Sequence, residues 1–189
     1  VLANRNAPQQ VVLSGESAEV DRACGLLEEA GLRHRRLQVG AAFHSPLVAG
    51  AVGPFSDACA TVELAAGKTV WANTSAEPYP DDAAAARQLL AEQLAHPVDF
   101  IGCIGGMLDA GVRTFVEVGP GRRLAGSLDA IAKSQGVEVS ITCTERDPGR
   151  NEGLVDLARC LMRLAVRGHA VHLERWDPSA LSAFEARLE

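Results

Sequence analysis

The feature of this sequence that most constrains its fold is a repeated alternation of short apolar runs with longer segments of helical periodicity. Residues 10–15 and 113–118 are runs of strand length, and each leads through a glycine into a helix-like segment. Strands that alternate with helices favour parallel pairing, because a parallel connection needs a crossover segment that a helix can supply. We therefore predict an α/β layer structure with parallel strands.

The same periodicity places the individual elements. Strands are predicted at residues 10–15, 34–39, 69–73, 113–118, 137–143 and 170–173. Helices are predicted at residues 17–31, 47–64 with an interruption at Gly53-Pro54, 81–94, 98–111 and 122–133, and residues 149–167 are predicted to form a loop and then a helix. We expect Ser17 to cap the first helix, Pro97 to break the third and Gly111 to end the fourth. Residues 177–189 are polar and are expected to fray.

The charge balance argues against nucleic acid as a partner. The formal net charge is −6 and the isoelectric point is near 5.4, whereas proteins that bind polyphosphate carry a concentrated basic face. The basic cluster at residues 33–36 could contact an acidic partner, but alternating arginines on a strand are typical of its solvated face. We interpret the cluster as surface.

The cysteines indicate neither a metal site nor a disulfide framework. The chain has 5 of them, widely separated and without the close Cys and His spacings that bind zinc. An odd number lying mostly in apolar stretches indicates reduced, buried thiols, which suits a reducing cytoplasm. No apolar run approaches the roughly 20 residues that a membrane helix needs, and no cleavable signal opens the chain. We therefore expect a soluble, cytoplasmic protein.

His44 is the histidine whose setting most suggests chemistry. It lies in a short predicted loop between a strand and a helix, flanked by small residues and followed by Ser45-Pro46. Loops held by rigid elements often carry catalytic groups. A histidine in a loop can equally be a structural hydrogen-bonding group, and local sequence leaves both interpretations open.

The turn at residues 118–121 is a second candidate site, because it leads from a predicted buried strand into a helix whose first turn carries Arg122 and Arg123. A helix start of this kind can bind an anion. The alternative is a tight connection in which glycine adopts unusual backbone angles. The full phosphate-loop and dinucleotide patterns are absent, which favours the tight connection.

No residue stands out as a nucleophile. Ser17 lies in G-E-S-A-E, which begins like a nucleophile elbow but lacks the final glycine. Cys103 lies in an apolar segment without a basic residue nearby in sequence, so we assign it to the core.

Four segments, taken in order, resemble motifs of the acyltransferase domains of fatty-acid and polyketide synthases. They are N-R-N-A-P with Q-V-V-L-S-G at residues 4–15, A-F-H-S-P at 42–46, Q-L-A-H-P-V at 93–98 and F-V-E-V-G-P-G at 115–121. The combination is specific because the motifs keep the family's order over most of residues 1–133. The chain thus resembles part of a malonyl-CoA:acyl-carrier-protein acyltransferase domain.

The resemblance implies an α/β-hydrolase-like core and a small ferredoxin-like subdomain, with the active site between them. This chain would comprise part of the ferredoxin-like subdomain at residues 1–40, the C-terminal part of the core with its active-site loop at 41–145, and a following helix and tail at 146–189. Residues 154–176 resemble the tail that follows acyltransferase modules in large iterative type I synthases. Upstream sequence would carry the G-H-S-x-G serine, the arginine that binds the malonyl carboxylate and the glutamine of the oxyanion hole.

Matched residue by residue, the resemblance also assigns roles around His44. This histidine would be the general base that activates the serine hydroxyl and later protonates the leaving thiolate. Its orienting acceptor would be the backbone carbonyl of Gln93, where most triads use a carboxylate. Asn73 would lie near the same pocket and help to orient the base.

The residues on either side of the base bear on substrate choice. A bulky aromatic directly before the histidine accompanies malonyl use in related domains, so Phe43 implies a preference for malonyl over methylmalonyl, and Ser45 is assigned to the same specificity segment. Many malonyl-selective relatives have histidine where this chain has Ala41, which is a departure from the family pattern. One methyl group in an apolar pocket is worth about 1–3 kcal/mol, so we expect a preference and not absolute rejection.

The function implied is transfer of a malonyl group from malonyl-CoA, through a serine ester, to the phosphopantetheine thiol of an acyl carrier protein. No permanently bound cofactor and no metal are expected. The implied partners are the carrier protein, the upstream half of the domain and neighbouring synthase domains, in polyketide, antibiotic or fatty-acid biosynthesis. Two alternatives stay open, a non-catalytic docking or scaffold fragment and a thioesterase-like hydrolase.

Overall fold

A computed structural model describes residues 1–64, 67–146 and 153–172 of the chain. The described residues fall into two compact units. The first comprises Val1–Val112 with Ala130–Glu138, and the second comprises Arg113–Asp129 with the chain from Val139 onward. The three-part division inferred from the family resemblance stays a prediction.

The first unit contains a small mixed sheet. Strand β1 (Leu2–Ala7) pairs antiparallel with β2 (Gln10–Leu13) and parallel with β3 (Val98–Asp99), which gives the strand order β2-β1-β3. Arg5 on β1 forms an ion pair with Asp99 on β3, with 3.0 Å between Nη1 and Oδ2. This sheet brings the segment before β3 next to the start of the chain.

The α-helices of the first unit are α1 (Ser17–Glu29), α2 (Val52–Ala60), α3 (Ala83–Glu92) and α4 (Phe100–Asp109), and a 3-10 helix at Pro46–Ala51 leads into α2. Aspartate side chains cap two of these helices. Asp82 accepts from the backbone N–H of Ala85 at 2.8 Å, and Asp99 accepts from that of Gly102 at 3.1 Å. Such caps satisfy N–H groups that a helix start leaves unpaired, which fixes where α3 and α4 begin.

A glycine on α4 allows a close approach by the segment that precedes α3. The ring of Trp71 lies over Gly106, and a Cβ atom there would overlap the ring, so the position requires glycine. The thiol of Cys103 on the same helix donates to the carbonyl of Ala72 at 3.2 Å. Burial raises the pKa of the Cys103 thiol, which keeps it protonated and fits the predicted core position.

The second unit contains a parallel pair of strands. β4 (Thr114–Pro120) pairs with β5 (Ser140–Glu145), and α6 (Gly153–Val166) packs against β5. Helix α5 (Ala125–Ser134) follows β4, and the division between the two units falls within it. The parallel pairing predicted from the alternation of strands and helices is confirmed for β4 and β5.

Three predicted strands are wrong. Residues 34–39 lie outside any strand, residues 69–73 contribute only a bridge between Trp71 and Pro78, and residues 170–172 are also irregular. A strand forms only where another strand satisfies its backbone groups along its length, and none of these segments is part of a strand ladder within the described residues. Residue 173 and the predicted fraying tail at 177–189 lie outside the described residues.

Two local predictions need correction and one is confirmed. Ser17 is the first residue of α1, and the N-cap is Glu16, which makes no side-chain capping bond. The helix break expected at Gly53-Pro54 is instead the change from the 3-10 helix to α2, and Pro54 lies in the first turn of α2, where a missing N–H is tolerated. Gly111 follows α4 with φ of 87°, as predicted for a left-handed helix end.

All five cysteines are free thiols, with four buried and Cys24 half-buried. Across residues 1–64, 67–146 and 153–172, no helix combines the length and apolarity needed to cross a membrane. In the same ranges, no cluster of three or more His, Cys, Asp or Glu side chains has the arrangement of a metal site.

Candidate active site

The loop that carries His44 is held in a strained conformation by its neighbours. His44 has φ of 58°, in the left-handed region that costs a non-glycine residue roughly 1–3 kcal/mol. Its backbone N–H donates to the carbonyl of Leu94 at 2.9 Å. Ser45 is buried, and its hydroxyl donates to the carbonyl of Ala42 at 2.6 Å. These bonds fix the backbone that carries the imidazole, directly before the 3-10 helix.

The imidazole of His44 faces two backbone carbonyls. Its Nδ1 lies 3.0 Å from the carbonyl oxygen of Gln93 and 3.2 Å from that of His96. Because a carbonyl oxygen only accepts hydrogen bonds, this arrangement assigns the ring proton to Nδ1. The lone pair of the neutral ring is then on Nε2, which bonds to none of the described residues. The ring is therefore arranged to accept a proton at Nε2.

The acceptors come from the turn that ends α3. Gln93 is the C-cap of that helix, and the carbonyls of Gln93, Leu94 and His96 all accept from His44. The Q-L-A-H-P-V motif points to this segment, but sequence reasoning named only the Gln93 carbonyl. The path of the backbone decides which carbonyls face the ring, and the residue types in this segment do not reveal that path.

Asn73 lies beside the start of α4, where its carbonyl accepts from the backbone N–H of Asp99 at 2.7 Å. Its side-chain Oδ1 and the hydroxyl of Thr74 are buried without a hydrogen-bond partner within the described part of the chain. No hydrogen bond among the described residues joins Asn73 to His44, so the structure brings His44 and Gln93 together but does not link Asn73 to them directly.

Phe43 and Ser45 differ in accessibility. The side chain of Phe43 is 50% exposed and that of Ser45 is 1% exposed. Ser45 also accepts from the backbone N–H of Leu47 at 3.3 Å, as the N-cap of the 3-10 helix. Phe43 is thus available to shape a surface beside His44, whereas Ser45 contacts its own loop.

The turn at residues 118–121 is closed to an external anion by the chain itself. The Glu117 carboxylate accepts from the backbone N–H groups of Arg123 at 2.8 Å, Leu124 at 3.0 Å and Ala125 at 2.9 Å. It occupies the place at the start of α5 that a bound anion would take. Sequence reasoning missed Glu117, although an acidic residue just before a glycine turn and a helix start is a usable signal.

A cavity of about 410 Å³ lies elsewhere in the first unit, between the segment that links α2 to α3 and α3 itself. Its lining is mainly apolar, with Lys68, Thr69, Tyr79 and Asp81 as the polar members. Burial raises the pKa of the Tyr79 hydroxyl. None of the predicted site residues lines this cavity, so the cavity and the candidate site are separate features of the first unit.

Comparison with known proteins gives a consistent result, although no protein-family model matches the chain. A malonyl CoA-acyl carrier protein transacylase from Bacillus subtilis is 37% identical over 129 residues, which cover 66% of this chain and 40% of that protein. The solved malonyl-CoA:acyl carrier protein transacylase of Xanthomonas oryzae is 35% identical with a TM-score of 0.70, covering 82% of this chain and 48% of that one.

A third match is the solved acyltransferase domain from the second module of the salinomycin polyketide synthase. It is 30% identical with a TM-score of 0.79, and the match covers 96% of this chain and 42% of that structure. The chain thus spans less than half the length of these three relatives. It is a homologue of malonyl-CoA:acyl carrier protein transacylases and polyketide synthase acyltransferase domains, and corresponds to part of such a domain.

Proposed function

We propose that this chain supplies the general base of a malonyl-CoA:acyl-carrier-protein acyltransferase, acting on a serine contributed by polypeptide outside it. The observation that carries the proposal is the imidazole of His44, whose Nδ1 is engaged by the carbonyls of Gln93 and His96 at 3.0 and 3.2 Å while Nε2 is left available. The likeness to transacylases supports the reaction class.

In the first half of the reaction, Nε2 of His44 takes the proton of the serine hydroxyl as its oxygen attacks the thioester carbonyl of malonyl-CoA. The tetrahedral intermediate collapses by breaking the carbon–sulfur bond, and the imidazolium returns its proton to the CoA thiolate. The product is a malonyl serine ester. Throughout this step the Gln93 and His96 carbonyls keep the Nδ1 proton in place, which fixes the tautomer that the base needs.

In the second half, Nε2 takes the proton of the phosphopantetheine thiol on an acyl carrier protein, and the sulfur attacks the serine ester. The carbon–oxygen bond to serine breaks, and the imidazolium protonates the serine oxygen. The base returns to its starting state without any redox step. No metal or permanently bound cofactor enters this scheme.

The exposed apolar surface of both units supports the proposal that another polypeptide completes the domain. In the first unit, α1 has no fully buried residue, and β2 is an edge strand with exposed Val11 and Leu13. In the second unit, the described residues offer β4 no strand partner besides β5, and Val118 on β4 is 81% exposed. Parallel strands are normally covered on both faces. We infer that the other half of the domain covers these surfaces, completing a ferredoxin-like subdomain and a hydrolase-like core.

The proposal is tested by reconstitution with labelled substrate. The chain together with the polypeptide that carries the G-H-S-x-G serine should move label from malonyl-CoA to a carrier protein that bears phosphopantetheine. Omitting either polypeptide should abolish this transfer. Release of free malonate in place of labelled carrier would instead identify a hydrolase, and complex formation without transfer or hydrolysis would identify a docking fragment.

Phe43 offers a test of substrate preference. Phe43→Ser should raise the ratio of methylmalonyl to malonyl transfer by about 10-fold, because removing the ring leaves room for one extra methyl group. The side chain is 50% exposed, so the change should not unfold the chain. The ratio of kcat/KM values for the two CoA esters is the measurement.

The matched control for Phe43 is Leu47→Ser, which removes an apolar side chain of similar exposure, 55%, from the adjacent 3-10 helix. This control should leave the ratio unchanged. A flat ratio in the Phe43 variant as well would show that the ring does not define the acyl pocket.

A further inference from the structure

The carbonyl of Gln93 is available to His44 because of a proline four residues later. In a continuing helix, the Gln93 carbonyl would accept from the backbone N–H of residue 97. That residue is Pro97, which has no N–H and also ends the helix. The carbonyl is therefore left with an unfilled acceptor position, which Nδ1 of His44 occupies at 3.0 Å.

The His96 side chain stabilises the same turn through a hydrogen bond to the end of α3. Its ring Nδ1 lies 2.7 Å from the carbonyl oxygen of Glu92, the last residue of α3, to which it donates. The backbone N–H of Ala95 donates to that same oxygen at 3.1 Å. The ring bond thus pins residue 96 back onto the helix end, and it is the carbonyl of His96 that lies 3.2 Å from Nδ1 of His44.

The carbonyls of Gln93, Leu94 and His96 all accept hydrogen bonds from His44, and we call these three carbonyls the cradle. We propose that Pro97 and His96 are positioning residues for the base: Pro97 keeps the Gln93 carbonyl open, and the His96 ring holds the His96 carbonyl in place. This inference deepens the proposed function and rests on it, since the orientation of His44 matters only if His44 is the base. The His96 ring bonds to the carbonyl of Glu92 and acts on His44 only through the backbone.

His96 is tested in the complete domain by His96→Ala and His96→Asn. Loss of the ring donor should lower kcat for malonyl transfer about 10-fold through misorientation of the base, with the KM for malonyl-CoA unchanged. The asparagine side chain of the second variant places an N–H donor at nearly the same reach and should restore most of the rate. His34→Ala is the matched control, because the ring of exposed His34 also meets a backbone carbonyl, that of Leu32 at 3.2 Å.

A spectroscopic readout separates positioning from general structural support. With ¹⁵N-labelled histidine, the ring nitrogens of His44 report which one carries the proton. His96→Ala should shift His44 from the Nδ1–H form toward a mixture of tautomers, and His96→Asn and His34→Ala should not. Unchanged tautomer signals in His96→Ala, whether or not the rate falls, would overturn the role of His96.

Pro97→Ala tests the other half of the cradle. It restores an N–H in register with the Gln93 carbonyl, which should compete with His44 and lower both kcat and the Nδ1–H signal. Pro80→Ala, in the loop before α3, is the control and should change neither. A Pro97→Ala enzyme with a normal His44 signal would overturn the role of Pro97. The tautomer readout does not need turnover, so failure of the cradle is distinguishable from failure of the transferase assignment. The latter would show as retained activity in a His44 variant.

Discussion

His44→Asn in the complete acyltransferase domain should lower kcat for malonyl transfer by about 10³-fold, the scale of a lost general base. Asparagine is the sharper replacement because His44 has φ of 58°, and asparagine tolerates the left-handed region better than most residues. It can neither take the serine proton nor return it to the leaving thiolate. His44→Ala should lose activity to a similar extent, with an added cost of backbone strain.

The measurement is the rate of carrier-protein labelling under saturating malonyl-CoA, accompanied by a thermal melt to show that the fold persists. His34→Asn serves as control, since it removes an exposed histidine that also lies near a backbone carbonyl. Turnover within a few-fold of the unmodified enzyme in His44→Asn would reject the transferase mechanism proposed for this chain.

Elements defined by local signals could be predicted from the sequence. Gly111 ends α4 in the left-handed conformation, as predicted. Asp82 and Asp99 cap α3 and α4 through bonds within a few residues, so these local signals were present although the sequence analysis did not name them. Strands depend on partners that are distant in sequence. Residues 34–39 alternate as a strand should, yet no described strand lies alongside to pair with them, so the pattern was insufficient.

The candidate site shows the same limit at the level of single atoms. The histidine and the Gln93 segment could be found because side-chain types and their order form motifs. The Leu94 and His96 carbonyls could not, since every residue carries a carbonyl and only the backbone course decides where it points. Pro97 could be predicted only in part. Its missing N–H is evident from the sequence, but the structure is needed to see that Nδ1 of His44 bonds to the Gln93 carbonyl instead.

Glu117→Ala should lower the free energy of unfolding by about 2–4 kcal/mol, because it removes one carboxylate that serves three backbone N–H groups at the start of α5. The amide of Ala125 is the most costly to leave without a partner, since Ala125 is only 3% exposed. Denaturant-induced unfolding gives the change in free energy, and hydrogen exchange at residues 123–125 should accelerate in the variant.

Two further substitutions separate charge from hydrogen bonding in this turn. Glu117→Gln keeps one acceptor oxygen but turns an amide donor toward the helix start, so it should fall between the native protein and Glu117→Ala. Glu145→Ala removes a carboxylate from the end of β5 but keeps the backbone carbonyl that accepts from Gly121 at 3.1 Å, and it should have a much smaller effect. Equal stability of Glu117→Ala and Glu145→Ala, with unchanged exchange at residues 123–125, would mean that the carboxylate is dispensable there. The backbone N–H groups at the start of α5 would then be available to bind an external anion. In the native protein the Glu117 carboxylate occupies that position.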